Sequence, residues 1–242
     1  MCRPWLAAGI TCFVVVLLVR ELAPLAGERG VSATVFASGL LGVRLRRWFR
    51  GRMVPVADLL LTIGITADGV TFSQLGTSIV CGVAYAHGWM FTAGWMLITC
   101  GTLDVLDGEM ARRQGRAGSR GAFIDSVVDR YSEGAVFAGL VAFYRDAWML
   151  WGVLAAWGGG FLVSYTRARA ESLGIDCQEG LLQRPERYVI LGGTSMVSAV
   201  TAHLTCNLGG RHLLVAAGVC VLACLSNLTA LQRALTALRR LS

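Results

Sequence analysis

Charged residues are scarce in this sequence, and lysine is missing altogether. Only 15% of the 242 residues are charged and 55% are hydrophobic, whereas about 25% charge is usual for a soluble domain. This composition excludes an ordinary soluble domain and indicates an integral membrane protein. Because every basic residue is an arginine, guanidinium groups alone supply the formal net charge of +7.

The spacing of cysteine and histidine that zinc sites require is also missing. The 8 cysteines include no CxxC pair, and His87, His203 and His212 are far apart in the chain. Most of the cysteines lie in apolar runs, where cysteine behaves as a small hydrophobic residue. We therefore expect neither a zinc centre nor a disulfide framework.

Several apolar stretches are long enough to cross a membrane as helices. About 20 apolar residues span a bilayer, and each stretch is bounded by charge, glycine or a turn. The stretches cover residues 68–88, 89–106, 121–143, 147–166, 188–207 and 212–231. The sequence therefore predicts an all-α integral membrane protein, with a six-transmembrane-helix bundle formed by one domain over residues 44–242.

Arginines are concentrated at alternate connections between these stretches. They cluster in residues 111–120, in residues 167–187 and near the C-terminus, whereas Arg145 and Arg211 occupy the opposite connections. Positive residues favour the cytoplasmic side of a membrane. We therefore expect a multi-pass protein of the cell membrane with these loops in the cytoplasm. The arginines then orient the chain and contact anionic lipid headgroups, so no nucleic acid partner is expected.

The N-terminal region combines an apolar extension with a basic segment. Arginine alternates with large apolar residues through Arg44, Leu45, Arg46, Arg47, Trp48, Phe49, Arg50, Arg52 and Met53. This alternation predicts an amphipathic helix at the membrane interface. For the extension, residues 1–43, a short hairpin or anchor is the preferred interpretation and a signal peptide the weaker one.

Four carboxylates interrupt the apolar pattern, and they are Asp104, Asp107, Asp125 and Asp129. Spacings of three and four residues put each pair on one face of a helix. A carboxylate at membrane depth is neutralised, paired or bound to a cation, since an isolated charge there is costly. Hard oxygen ligands suit Mg²⁺ or Mn²⁺, so we expect a divalent-cation site. The alternative is an ion-pair network with nearby arginines, namely Arg112, Arg116 or Arg130.

The carboxylates belong to a longer motif, which reads DxxDGxxAR, eight residues, then GxxxDxxxD. Its fixed positions are Asp104, Asp107, Gly108, Ala111, Arg112, Gly121, Asp125 and Asp129. The pattern resembles the motif of the CDP-alcohol phosphotransferases, and the resemblance extends from about residue 44 to the C-terminus. It implies transfer of a substituted phosphate from a CDP-linked donor to an acceptor hydroxyl, with release of CMP. It also implies a six-helix bundle that is usually a homodimer in the family.

The resemblance assigns roles to the residues of the motif. It implies that Asp104, Asp107 and Asp125 bind two Mg²⁺ or Mn²⁺ ions, and that Asp129 lies near the metal and is the general base for the acceptor hydroxyl. Nucleotide contacts are implied for Gly108, Ala111, Arg112 and Gly121. A glycine lets backbone approach the nucleotide or a neighbouring helix, and arginine offers a planar fork to phosphate. Two acids outside the motif are expected to be solvated or paired with arginine, namely Glu109 and Glu133.

A short stretch ahead of the first span also resembles the family. Asp68 and Thr71 match positions that help to hold the cytidine nucleotide, while Ala67 stands where proline is usual. Loss of the proline predicts a less rigid start of the helix. Asp68 is equally well suited to be the N-cap of that helix, and the two roles are compatible.

Residues 164–171 and 183–187 resemble the corresponding stretches of the phosphatidylinositol-phosphate synthases, whose acceptor is already phosphorylated. A dianionic acceptor needs a cationic pocket, which we expect to comprise Ser164, Arg167, Arg187 and Arg233. Those synthases commonly have lysine at the position of Arg167, and arginine keeps the charge but changes the geometry. The alternative role of these arginines is to anchor helix ends at the cytoplasmic surface.

The reaction expected from the resemblance joins CDP-diacylglycerol to inositol 1-phosphate or a similar polyol phosphate. Glycerol 3-phosphate is the next acceptor, and CDP-inositol is an alternative donor. Two other classes compete with this interpretation. A divalent-cation transporter would use the same carboxylates but needs them near the middle of the bilayer, and an inactive scaffold would show a broken motif.

Overall fold

The computed structural model describes residues 42–115, 118–175, 182–201 and 212–241, and these ranges contain seven α-helices and no strand. In chain order the helices are α1 (Gly42–Thr62), α2 (Ala67–Ala86), α3 (Met90–Arg113), α4 (Ser119–Tyr144), α5 (Met149–Ser172), α6 (Arg184–Thr201) and α7 (Leu213–Leu241). The predicted all-α class is confirmed. Residues 1–41, almost the whole N-terminal extension, lie outside the described residues, as do Arg116, His203 and Arg211.

The basic segment forms helix α1, which lies at an angle of 111° to α2. The turn between the two helices contains Gly64 at φ +86°, a conformation that favours glycine. The N-cap of α2 is Thr66, whose hydroxyl accepts a hydrogen bond from the Gly69 amide at 3.2 Å. The N-cap alternative for Asp68 was therefore wrong, because the N-cap lies two residues earlier, at Thr66, and Asp68 is in the first turn of the helix.

The helices extend beyond several of the apolar stretches from which they were predicted. α5 continues to Ser172 and α7 to Leu241, past the apolar ends at residues 166 and 231. Arginine is a good helix former, so these basic ends prolong the helices rather than terminate them.

By length and composition, α5 and α7 are candidate membrane spans, and the bent pair of α1 and α2 counts as a third if it is one span. Helices α3, α4 and α6 carry charged residues of the candidate site, which lower their hydropathy. Many large apolar side chains on the helices are exposed, among them Phe72, Ile79, Trp151, Phe161 and Leu228. Such a surface fits a lipid environment, while the count of six spans stays a prediction.

Helix packing places α2 against both α3 and α4, α3 against α6, and α5 against α7. The main core includes Tyr85, Leu97, Phe137, Leu140 and Val219, all buried. A smaller cluster of Ala57, Val70, Leu106 and Met110 joins α1 to the start of α2 and to the C-terminal part of α3. This part of α3 carries Asp104 and Asp107 and is called the acidic segment below. The α1 helix is therefore packed onto the bundle rather than only tethered to it.

Glycines allow helices α2 and α4 to approach each other closely. A Cβ atom built on Gly139 of α4 would overlap the carbonyl group of Gly82 in α2. Backbones approach this closely only where a side chain is absent. The contact holds α4, which carries two of the motif aspartates, against α2.

Candidate active site

Three of the predicted carboxylates converge in the structure. Asp104 in α3 meets Asp125 and Asp129 in α4, and one oxygen from each lies within 4.8 Å of the others. Both helices pack against α2, so the three acids meet beside that helix. The spacing of four between Asp125 and Asp129 puts both on the face of α4 that looks toward Asp104.

The fourth carboxylate, Asp107, is turned toward α2. The Thr71 hydroxyl donates a hydrogen bond of 2.7 Å to Asp107 Oδ2, and both residues are buried. Asp107 is not in the group of three that lies within 4.8 Å. Its predicted role as a metal ligand stays a prediction, while its contact joins Thr71 to the acidic segment.

Two residues that the sequence did not reveal also contact the carboxylates. Arg184 Nη1 donates to Asp104 Oδ1 at 2.9 Å and forms an ion pair with Asp129. The amide of Gln74 donates to Asp129 Oδ1 at 3.4 Å, and Gln74 is fully buried. Spacing was the available signal for both, because residues three positions apart share a helix face. Arg184 precedes the predicted site residue Arg187 by three positions, and Gln74 follows Thr71 by three.

The three converging acids fit a divalent cation. Asp125 Oδ1 is buried and has no hydrogen-bond partner among the described residues. A buried carboxylate oxygen without a partner is unfavourable, whereas a hard cation would satisfy it. Arg112 and Arg130, named in the ion-pair alternative, instead pair with Glu109 and Glu133. The residues present therefore fit a divalent metal ion.

A cavity of about 610 Å³ opens beside the acids. Its lining includes Asp125, Asp129, Arg46, Arg130, Arg184 and all of the residues predicted to bind the acceptor phosphate, Ser164, Arg167, Arg187 and Arg233. Residues from α1, α4, α5, α6 and α7 thus surround one space. Several arginines and two of the motif carboxylates therefore line the same cavity, as transfer to an anionic acceptor would require.

The arginines of this cavity differ in burial. Arg187 is 5% exposed and Arg233 is 4% exposed, whereas Arg167 is exposed and pairs with Glu171 at 2.8 Å on the same helix. Arg233 Nη1 donates to the Val163 carbonyl at 2.8 Å. Arginines that only anchor a helix end would be solvated. Burial of Arg187 and Arg233 therefore favours the pocket over the anchoring alternative, while Arg167 fits either role.

Glu133 holds two of the arginines together. Arg187 Nη1 lies 3.3 Å from Glu133 Oε1, and Arg130 Nη1 donates to Glu133 Oε2 at 2.8 Å. Arg130 also donates to the Ser164 hydroxyl at 2.8 Å. Gly160 provides the space for this arrangement, since a Cβ there would lie 2.5 Å from Arg187 Nη1. The expectation of an arginine-paired carboxylate at Glu133 is confirmed.

None of the residues predicted to contact the nucleotide is among those that line the cavity. Asp68 is exposed in the first turn of α2, while Ala111 and Gly121 are half-buried. Arg112 is exposed and donates to Glu109 Oε2 at 2.7 Å. That bond lowers the pKa of Glu109, which is arginine-paired as expected.

The expectation that Gly108 admits a neighbouring helix was wrong. Within the part of the chain that the structure describes, a Cβ on this residue would meet only the far end of the Arg112 side chain, at 3.5 Å. The end of a long side chain moves easily, so helix packing does not require glycine here. The other expectation for Gly108, close approach of the nucleotide, stays a prediction.

The clustered acids, the cationic cavity and the apolar helices define a membrane enzyme that uses a divalent metal and handles phosphate groups. Residues 64–224 match the family model described as CDP-alcohol phosphatidyltransferase. The chain belongs to this family, and the predicted class of phosphate-group transferase is confirmed. Membership favours the enzyme over the cation transporter.

Relatives of known name agree with this assignment. The chain is 35% identical to the archaetidylinositol phosphate synthase of Methanothermobacter thermautotrophicus, over 77% of this chain and 89% of the relative. It is also 35% identical to the phosphatidylinositol phosphate synthase of Streptomyces avermitilis, over 88% of both chains.

Solved structures of the Mycobacterium tuberculosis phosphatidylinositol phosphate synthase resemble this fold. The structure with manganese and citrate superimposes with a TM-score of 0.66 at 29% identity, over 76% of this chain and 88% of that one. The structure with CDP-DAG bound gives a TM-score of 0.65 at 30% identity, over 76% and 92%.

Proposed function

We propose that this protein transfers a phosphatidyl group from CDP-diacylglycerol to a hydroxyl of inositol 1-phosphate, releasing CMP. The observation that carries the proposal is the shared cavity, which the predicted acceptor residues line together with Asp125 and Asp129. Similarity to two synthases of inositol phospholipid phosphates supports the acceptor. A structural neighbour with CDP-DAG bound supports the donor.

The acceptor phosphate belongs among the arginines of the cavity. Arg187 and Arg233 are buried there, and Ser164 lies beside them. Charge-assisted hydrogen bonds from guanidinium forks would hold a phosphate dianion and orient the inositol ring. With the phosphate held by these arginines, the acceptor hydroxyl would point toward the carboxylates on α4.

Asp129 is the general base in the proposed mechanism. It takes the proton as the acceptor oxygen bonds to the phosphorus that carries the lipid, while the bond from this phosphorus to the CMP oxygen breaks. Asp129 borders the cavity, and its position one turn from Asp125 suits a base next to a metal ligand. The hydrogen bond from Gln74 to Oδ1 orients this carboxylate.

Asp104, Asp107 and Asp125 would hold two Mg²⁺ or Mn²⁺ ions together with Asp129. When bound, these ions polarise the diphosphate and offset the charge on departing CMP. On the donor side, Asp68, Thr71, Gly108, Ala111, Arg112 and Gly121 would contact the nucleotide. Thr71 is already fixed by its bond to Asp107, which links nucleotide binding to the acidic segment.

The proposal also includes the topology. Six helices cross the cell membrane, α1 lies at its surface, and the site opens to the cytoplasm. Exposed Trp89 and Trp148 lie at the α2–α3 and α4–α5 connections, opposite the acidic ends of α3 and α4. Tryptophan favours the membrane interface, so these residues support a boundary at that end. We also propose that the protein is a homodimer, as the family resemblance implies.

Purified protein tests the proposal most simply with CDP-diacylglycerol, Mn²⁺ and a panel of acceptors. We expect CMP release with inositol 1-phosphate, and little with free inositol, which lacks the phosphate that the arginines bind. Glycerol 3-phosphate and a CDP-inositol donor are the competing arms. Faster release in either arm would replace the substrate assignment, and no release in any arm would contradict the enzyme proposal.

A further inference from the structure

The arginines of α1 were expected to anchor this helix at the membrane surface, but Arg46 makes different contacts. Its Nη1 donates to the Gln183 side chain at 2.5 Å, and its Nη2 forms an ion pair with Glu186. Arg46 also lines the 610 Å³ cavity. Its neighbour Arg47 is exposed. One basic residue of α1 is therefore directed into the bundle, toward the start of α6.

Glu186, the partner of Arg46, is a buried carboxylate that the proposed mechanism does not use. It is 1% exposed, and its Oε2 accepts a hydrogen bond from the backbone N–H of Gln183 at 3.1 Å. A residue before a helix and an acid three positions later form a cap of the helix start. Arg46 therefore contacts both residues that fix where α6 begins.

The first turn of α6 carries two arginines of the candidate site. Arg184 contacts Asp104 and Asp129, and Arg187 contacts Glu133 at the cavity. They flank Glu186 in the sequence, so a change in its position would move both. A displacement of about 1 Å in a positioned group can lower activity strongly. The guanidinium group of Arg46 thus connects helix α1 to the part of α6 that carries the arginines of the cavity.

We propose that Arg46 is a positioning residue for the acceptor. Helix α1 then helps to form the acceptor site and is not only a membrane anchor. The inference rests on the proposed function. Through Glu186 and Gln183, Arg46 holds the start of α6 so that Arg187 meets the acceptor phosphate. The residues predicted to contact the donor nucleotide do not line this cavity, so donor binding should depend little on this contact.

The matched variants Arg46→Gln and Arg47→Gln test the inference, because each removes one positive charge from the same helix. We expect Arg46→Gln to raise the KM for inositol 1-phosphate by about tenfold, as for loss of a charged hydrogen bond, with the KM for CDP-diacylglycerol unchanged. Arg47→Gln should leave both constants near wild type. Arg46→Lys, which keeps the charge but loses the two-pronged contact, should recover only part of the loss.

Equal effects of Arg46→Gln and Arg47→Gln would point to membrane anchoring and overturn the inference. So would an Arg46→Gln enzyme whose acceptor KM is unchanged, or whose two KM values rise by the same factor. If the wild-type protein releases no CMP with any acceptor, the proposed function fails first. That outcome is distinct from a wild-type enzyme that is active but insensitive at Arg46.

Glu186→Gln provides a second test should Arg46→Gln fail to fold. Glutamine keeps the shape of the side chain and an oxygen that can accept the hydrogen bond from the backbone N–H of Gln183. It loses the charge that pairs with Arg46. By itself this variant should raise the KM for inositol 1-phosphate about tenfold and leave the KM for CDP-diacylglycerol unchanged. Where Arg46→Gln also folds, the double variant should be no worse than either single one. Additive effects of the two substitutions would show that the residues act separately.

Discussion

Arg184 donates a hydrogen bond of 2.9 Å to Asp104, joining the first turn of α6 to the acidic segment of α3. The same guanidinium group forms an ion pair with Asp129. One arginine therefore contacts two of the three carboxylates that fit a metal ion. Because two cations near the same oxygens repel each other, this contact should weaken metal binding.

Replacing Arg184 with glutamine should consequently tighten Mn²⁺ binding. We expect the Kd to fall by roughly tenfold, measured as free Mn²⁺ by electron paramagnetic resonance. Arg145→Gln is the matched control, since Arg145 is exposed and pairs with its neighbour Asp146. Weaker Mn²⁺ binding in the Arg184 variant would mean that this arginine orders the carboxylates for the metal instead of competing with it.

Asp129→Asn should separate catalysis from metal binding. The amide cannot accept the proton of the acceptor hydroxyl, so turnover should fall by at least about a hundredfold. Asp104 and Asp125 stay in place, and much of the affinity for Mn²⁺ and CDP-diacylglycerol should remain. Single-turnover release of CMP and direct Mn²⁺ titration measure the two properties. An active Asp129→Asn enzyme would remove the assignment of the base.

Gly160→Ala, a substitution in α5, should disturb the acceptor site. A Cβ at this position would lie 2.5 Å from Arg187 Nη1 and 2.6 Å from Glu133 Oε1. The pair must move, and we expect the acceptor KM to rise roughly ten- to hundredfold. Gly158→Ala is the control on the same helix, because no atom of the described residues lies within 4 Å of its added Cβ. Similar kinetics for the two variants would argue against a role of Arg187 in acceptor binding.

Gly139→Ala tests the helix contact that supports the site. The added methyl group would overlap the Gly82 backbone, and the strain should destabilise the protein by about 1–3 kcal/mol or more. We expect a lower Tm in detergent, measured by thermal unfolding. Gly134→Ala on the same helix has only an ordinary contact, with Trp157 at 3.7 Å. Its Tm should stay the same or rise, because alanine favours helix; equal losses in both variants would contradict the packing account.

The sequence predicted the helices and the carboxylates well, because both are local patterns. Long apolar stretches located α2 to α7, and the fixed spacing of the motif put Asp125 and Asp129 on one face of α4. The N-cap was missed because Thr66 and Asp68 are both good caps, and only the backbone decides where the helix begins.

Contacts between distant parts of the chain were not predictable from these patterns. Gln74 meets Asp129 across 55 positions, and Arg184 meets Asp104 across 80. Arg46 lies in the same run of arginines and large apolar residues as its exposed neighbour Arg47. It nevertheless pairs with Glu186, 140 positions away in the sequence. Packing of α1 and α6 onto the bundle creates these pairs, and a single sequence contains no direct record of it.

Anomalous scattering from crystals soaked in Mn²⁺ tests most directly whether the acids bind metal for catalysis. We predict a manganese peak within coordination distance of Asp104, Asp125 and Asp129. Asp125 Oδ1, which has no hydrogen-bond partner among the described residues, should be one of its ligands. Saturating Mn²⁺ with no peak at this site, and with the carboxylates bound only to Arg184, would contradict the central claim.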